Sequence, residues 1–173
     1  MPRSARSTAL RVATVGVAIA AQLAFCASAA ADTSNSLDAV QVPMTAVLRV
    51  CDFSAKTYVP TVGDGRRAAS ISAVGTTMSA QVSLLTAQPD TQYTVRLIQV
   101  PRPDPARCAV ADPAASSTVL NTDDAGNGTV TVQDELRPGT TGTWVAIDRP
   151  QQYAPIPAEH YASDFVAPLR GPE

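Results

Sequence analysis

The chain is poor in the residues that most often do chemistry. It has one histidine (His160), one tryptophan (Trp144), one lysine (Lys56) and three cysteines among 173 residues. With Cys51 and Cys108 read as a disulfide pair, the single histidine leaves too few ligands for a zinc site, which needs three or four. The cysteines Cys51 and Cys108 are 57 positions apart, so no C-x-x-C redox pair exists. There is no G-x-S-x-G elbow for a serine hydrolase and no glycine-rich phosphate loop leading into a helix. Three Phe, four Tyr and one Trp leave little aromatic surface for stacking sugars or bases. No window after the first 31 residues holds a helical period over three turns.

What is present begins with an address. Arg3, Arg6 and Arg11 precede an apolar run from Val12 to Phe25, and Ala29-x-Ala31 before Asp32 offers small residues where a signal peptidase reads them. The run is shorter than the roughly 20 residues that span a bilayer, so the expectation is a cleaved signal peptide over 1–31 with no membrane span afterwards. Cys26 follows bulky Phe25, which disfavours a lipoprotein site. Removing three arginines takes the net charge from −2 to −5, a surface that does not attract nucleic acid or anionic lipid. An arginine-rich, lysine-poor, alanine-rich composition fits a GC-rich bacterial genome. In an oxidising exterior, Cys51 and Cys108 read as one disulfide closing a loop of about 57 residues, worth on the order of 4 kcal/mol.

The mature portion divides into a flexible start (32–40), a β domain (41–149) and a Pro-rich C-terminal extension (150–173) expected to wrap the surface as coil. The strand signals alternate. In TMSAQVSLLT (Thr77 to Thr86), Met78, Ala80, Val82 and Leu84 fall on one face; in QYTVRLIQV (Gln92 to Val100), Tyr93, Val95 and Leu97 do. Further strands are expected in Val42 to Phe53, Thr57 to Val62, Ala69 to Gly75, around Val119, around Val132, and in Thr141 to Asp148. GDGRR (Gly63 to Arg67) reads as a turn, and Pro101 to Pro113 as an extended loop. Period-2 strands with Pro/Gly turns and one disulfide predict an all-β fold, an antiparallel Ig-like β-sandwich of about seven strands. Trp144 lies after both cysteines and Ala106 stands where a tyrosine corner would be, so the antibody hallmarks are absent.

The order TQYTVRLIQVP…C…LNTDDAGNGTVTV…GTWVAIDRP…HYASDFV, from Thr91 to Val166, resembles small secreted Ig-like β-sandwich proteins of actinobacteria. The resemblance implies an exported domain and carries over no activity and no catalytic residue.

The stretch VLNTDDAGNGTV (Val119 to Val130) is the chain's best claim to chemistry. Set on the twelve-position calcium loop with Asp123 first, it puts Ala125 at position 3, Asn127 at 5, Gly128 at 6 and Asp134 at 12. One early ligand is missing and the flanks are strand formers, so a hairpin turn is the better reading. Asp123, Asp124 and Asn127 stay as calcium candidates in another geometry. Asn127-Gly128-Thr129 also spells a glycosylation sequon, read as accidental in a bacterium. Asp134 and Glu135 form a second carboxylate pair, but strand neighbours point to opposite faces. His160, with Ser163 and Asp164 near it in sequence, reads as a solvent-facing side chain in a coiled tail rather than a triad. Arg66 and Arg67 read as a solvated turn, and Trp144 as core. Tyr153 and Tyr161 are expected to pin the tail. The expectation is a non-enzymatic exported protein that binds an extracellular or envelope partner and uses no cofactor. The alternatives are a secreted hydrolase built on Asp123, Asp124, Asp134 and Glu135, or a calcium-stabilised adhesion module.

Overall fold

A computed structural model describes residues 39–56, 63–102, 115–151 and 156–169. All of these fall within the unit Asp32–Glu173. The signal segment, the start up to Asp38, Thr57 to Val62, most of the Pro101 to Pro113 loop with Cys108, and Tyr153 lie outside the described residues.

The described residues are all β, without a helix. Nine strands form: β1 (Val40–Thr45), β2 (Arg66–Val74), β3 (Thr77–Leu85), β4 (Gln92–Val100), β5 (Ala115–Asn121), β6 (Gly128–Glu135), β7 (Gly142–Arg149), β8 (Glu159–Ser163) and β9 (Ala167–Pro168). Eight of them make one hydrogen-bonded path, β5-β4-β7-β8-β1-β2-β3-β6, with β9 added on β7, and every pairing is antiparallel. The path's two ends, β5 and β6, pack side by side without a ladder between them, so the sheet curls almost into a barrel. In that order β7 returns beside β4 after β4, β5 and β6, a Greek-key arrangement.

This differs from the expected seven-strand Ig-like sandwich in two respects. An Ig domain sends its second and third strands to opposite sheets; here β2 and β3 pair along their whole length. The turn between them is two residues, Gly75-Thr76, with Gly75 at φ +59°, the form in which glycine leads a tight hairpin. The other difference is β1, which belongs to both halves. Val40 to Pro43 pair with β2, then Met44 and Thr45 pair with β8. The change comes immediately after Pro43, which has no N–H to continue a ladder. The expected long strand to Phe53 therefore ends at Thr45, and the chain turns through residues 46–56 instead.

The barrel interior is the set of inward-facing positions that the period-2 pattern marks. Met78, Ala80, Val82 and Leu84 of β3 meet Tyr93, Val95 and Leu97 of β4, together with Ile71, Leu120, Val132, Val145 and Ile147. Burying each such Val, Leu, Ile or Met side chain contributes roughly 1.5–3 kcal/mol relative to leaving it in water. A second cluster lies on the outer face of β4, β7 and β8: Ile98, Trp144, Ala146 and Ala162 with Cys51 and Ala115, and Phe53 packed against it. Strand β7 is thus buried on both faces, which accounts for the unbroken apolar run in TWVAI.

The C-terminal extension is not coil where it is described. Glu159–Ser163 pairs with both β7 and β1 and completes the barrel. Its alternation is hard to read because His160, Tyr161, Ala162 and Ser163 are all buried. Arg66 and Arg67, expected in a turn, open β2.

Candidate binding cleft

Two turns and one carboxylate make a cleft of about 290 Å³, lined by Gly63, Asp64, Gly65, Thr86, Ala87, Gln88, Pro89 and Glu159. Glu159 begins β8, and its side chain points to the same face as that of Tyr161, two residues on. Its Oε2 accepts hydrogen bonds from the Tyr93 hydroxyl at 2.7 Å and the Tyr161 hydroxyl at 3.1 Å. Its Oε1 accepts from Arg149 Nε at 3.0 Å, across the β7–β8 pair. Each phenol oxygen in turn accepts a backbone amide from a cleft wall: Gln88 N–H donates to Tyr93 and Gly65 N–H to Tyr161, both at 3.2 Å. Glu159 therefore ties both turns to the barrel through two tyrosines.

Burial, and then the hydrogen bond to Glu159, push the Tyr93 hydroxyl well above the ordinary tyrosine range. Burial is also the main reason that Tyr161 is pushed up to about 12; the Gly65 amide opposes it and the Glu159 charge reinforces it. Both phenols stay protonated at neutral pH and act as donors. The Arg67 guanidinium lies 4.9 Å over the Tyr161 ring, and it donates to Gly65 O and Met44 O. Arg67 is thus spent on the wall of the cleft rather than offered to an anion.

The DDAGNG loop holds the Thr86–Pro89 wall in place. Gly126 N–H donates to Asp123 O at 3.0 Å and Asp123 N–H to Asn127 O at 2.8 Å, a type I turn closed by a residue of positive φ. Gly126 is at φ +76°, and a Cβ there would stand 2.1 Å from Ala87 O. The loop can therefore dock on the Thr86–Pro89 turn: Ala87 N–H donates to Gly126 O, and Thr86 N–H to Asn127 Oδ1. Buried Thr122 adds a bond from its hydroxyl to Gln88 O at 2.7 Å and accepts Thr91 N–H at 2.9 Å.

This places the calcium candidates. Asp123 Oδ1 accepts the amides of Ala125 and Asn127 at 3.0 and 2.7 Å, and Asn127 Oδ1 accepts that of Thr86. Those oxygens serve backbone, while Asp124 is exposed. Among the described residues no three His, Cys, Asp or Glu side chains gather as a metal site. The carboxylates of the hydrolase alternative are not brought together either. Asp123 and Asp124 precede β6, Asp134 and Glu135 end it, and the six strand residues between them, 128–133, hold them roughly 20 Å apart. Asp134 Oδ2 accepts from the buried Gln99 at 2.7 Å and pairs with Arg137.

His160 corrects the sequence expectation most. It is 1% exposed, on the outer face of β8. Its Nδ1 bonds to Asp148 Oδ1, Asp148 Oδ2 pairs with Arg96, and its Nε2 faces the Arg49 N–H at 3.4 Å. Ser163 is no nucleophile for it: Ser163 Oγ accepts Val145 N–H at 2.9 Å, inside the sheet. Cys51 is buried in the outer cluster. The site residues that sequence reasoning missed are Glu159, Tyr93 in its polar role, and Asp148 with Arg96. Their partners lie far off in the chain, 66 residues for Tyr93 and Glu159.

No family model, no curated protein and no solved structure matches the chain.

Proposed function

We propose that this chain is an exported, non-enzymatic β protein that binds a partner in the cell envelope or outside the cell through the Gly63–Glu159 cleft. The observation that carries this reading is the cleft itself: a concave polar space about 290 Å³ in volume whose walls are pinned to the barrel by Glu159, Tyr93 and Tyr161. Walls already fixed by hydrogen bonds spare a ligand part of the ordering cost of binding. Against the hydrolase alternative, the groups with catalytic chemistry are committed elsewhere: both ring nitrogens of His160, the Ser163 hydroxyl and the Asp134 carboxylate have internal partners.

Export belongs to the same proposal and rests on the Arg3-to-Ala31 signal pattern, as does membership of the secreted actinobacterial group on the Thr91-to-Val166 resemblance. So does a Cys51–Cys108 disulfide. Cys51 packs in one cluster with Ala115, and Cys108 is seven residues before Ala115, a reach of at most about 25 Å.

The test uses the secreted chain. N-terminal sequencing should begin at Asp32. Thermal melting against a panel of cell-wall glycan and peptide fragments should find one that raises the melting temperature, with the rise lost in Asp64→Ala and Gln88→Ala, both at the cleft wall. Fragment turnover detected by mass spectrometry would sink the non-enzymatic reading, and a flat panel would sink the cleft.

A further inference from the structure

The segment from Leu48 to Lys56 folds back on itself as a small flap. Arg49 bridges Ala55, Val50 N–H donates to Ser54 O, Phe53 N–H to Val50 O, and Lys56 N–H to Leu48 O. Phe53, at its tip, is held at φ +74°, a region costly for a residue with a Cβ. The flap covers the outer face of β4, β7 and β8. Phe53 meets the Trp144 indole edge-on at 5.5 Å between centroids, and the Arg49 guanidinium lies 3.9 Å over the Phe53 ring. Arg49 Nη1 donates to Phe53 O at 3.0 Å and Nη2 to Asp164 O at 3.3 Å.

At the root of the flap, His160 Nε2 faces the Arg49 N–H. A backbone amide is always a donor, so Nε2 must be bare and the ring proton must sit on Nδ1, donating to Asp148. A second ring proton would put donor against donor at Arg49. We propose that the Leu48–Lys56 flap is an acid-released cover over Trp144, latched by neutral His160 and loosened when His160 takes up a second ring proton.

The charged surroundings set the direction. Asp148 on β7 faces His160 and is shared with Arg96 on β4, so the anion that would welcome an imidazolium already has a cation. From the flap come Arg49, Lys56 and the half-buried Asp52, which the Ser54 hydroxyl and then its amide hold below the usual carboxylate range. From the turn after β8 comes Asp164, which offers its carbonyl to Arg49. Glu159 points to the cleft on the opposite face. The latch thus turns on one bare ring nitrogen of His160 facing a fixed backbone donor.

The chain's single tryptophan reports the event. On going from about pH 8 to about pH 5, a range set by histidine titration, Trp144 emission should shift red and acrylamide quenching should rise several-fold, while far-UV circular dichroism stays native. His160→Gln keeps an acceptor for Arg49 and a donor for Asp148, and its emission should stay flat over the same range. If that variant does not fold, Asp148→Asn serves: loss of the anion should move the midpoint to more acid pH. A flat response in the wild-type chain, the same midpoint in His160→Gln, or an unmoved midpoint in Asp148→Asn would overturn the proposal.

Discussion

Tyr93 and Tyr161, each bonded to an amide of a different cleft wall, donate to the same carboxylate oxygen, Oε2 of Glu159. Removing the acceptor strands both. Glu159→Ala leaves two buried phenols and Arg149 without their common partner, and should cost about 3 kcal/mol of stability. Urea denaturation measures it. Tyr93→Phe and Tyr161→Phe each remove one donor and leave Gln88 or Gly65 N–H unpaired, with an expected loss of about 1–3 kcal/mol apiece.

The same phenols give the fold an alkaline limit. Both hydroxyls are harder to ionise in the folded chain than in the unfolded one, Tyr161 up to about 12 and Tyr93 higher still, chiefly through burial. Below the ordinary tyrosine value, about 10, neither state ionises them and their contribution is fully present. Above it the unfolded chain sheds protons that the folded chain keeps, so stability falls as pH rises through about 10 to 12. Melting temperature against pH should drop in that window, and the drop should be shallower in Tyr93→Phe. An unchanged profile in that variant would show that other groups set the limit.

Gly126 is irreplaceable for two separate reasons, its positive φ and the Ala87 carbonyl standing where a Cβ would go. Gly126→Ala should lose about 2 kcal/mol or more, since backbone strain of this kind alone costs roughly 1–3 kcal/mol. Gly139 also has positive φ but has nothing near its Cβ position. Gly139→Ala should therefore lose less than Gly126→Ala in the same denaturation experiment.

Calcium should leave the melting temperature unchanged, because Asp123 Oδ1 and Asn127 Oδ1 would have to give up backbone amides to bind it. A rise with millimolar calcium, reversed by chelation, would restore the loop as a metal site.

Much of the barrel interior was legible in the sequence. Wherever one face of a strand is at least partly wet, as in β3 and in β4 as far as Leu97, the alternation of Met78, Ala80, Val82 and Leu84 or of Tyr93, Val95 and Leu97 names the core directly. The reading failed where both faces are dry. In β8, Tyr161 turns into the barrel and His160 into the flap, so polarity does not alternate and the strand passes for coil between prolines. The flap was lost for a related reason: Leu48 to Phe53 continues the apolar character of β1, and Pro43 gave the sole hint of a partner change. The cleft was illegible because its bonds join residues far apart in the chain. A glutamate in a Pro-rich tail carries no local sign that two tyrosines converge on it.

The sharing of β1 between two partners has a consequence for how the molecule is made. Met44 and Thr45 pair with Ser163 and Ala162, almost 120 residues later. The first strand of the described fold thus waits for nearly the last, and the hydrogen-bonded path stays in two pieces until β8 has been delivered. Contacts of such sequence separation are slow to form. A chain cut before Glu159 should keep the β2–β3 hairpin yet leave the edges of β1 and β7 bare, open to pairing with other chains. Assembly is in this way made conditional on the arrival of β8.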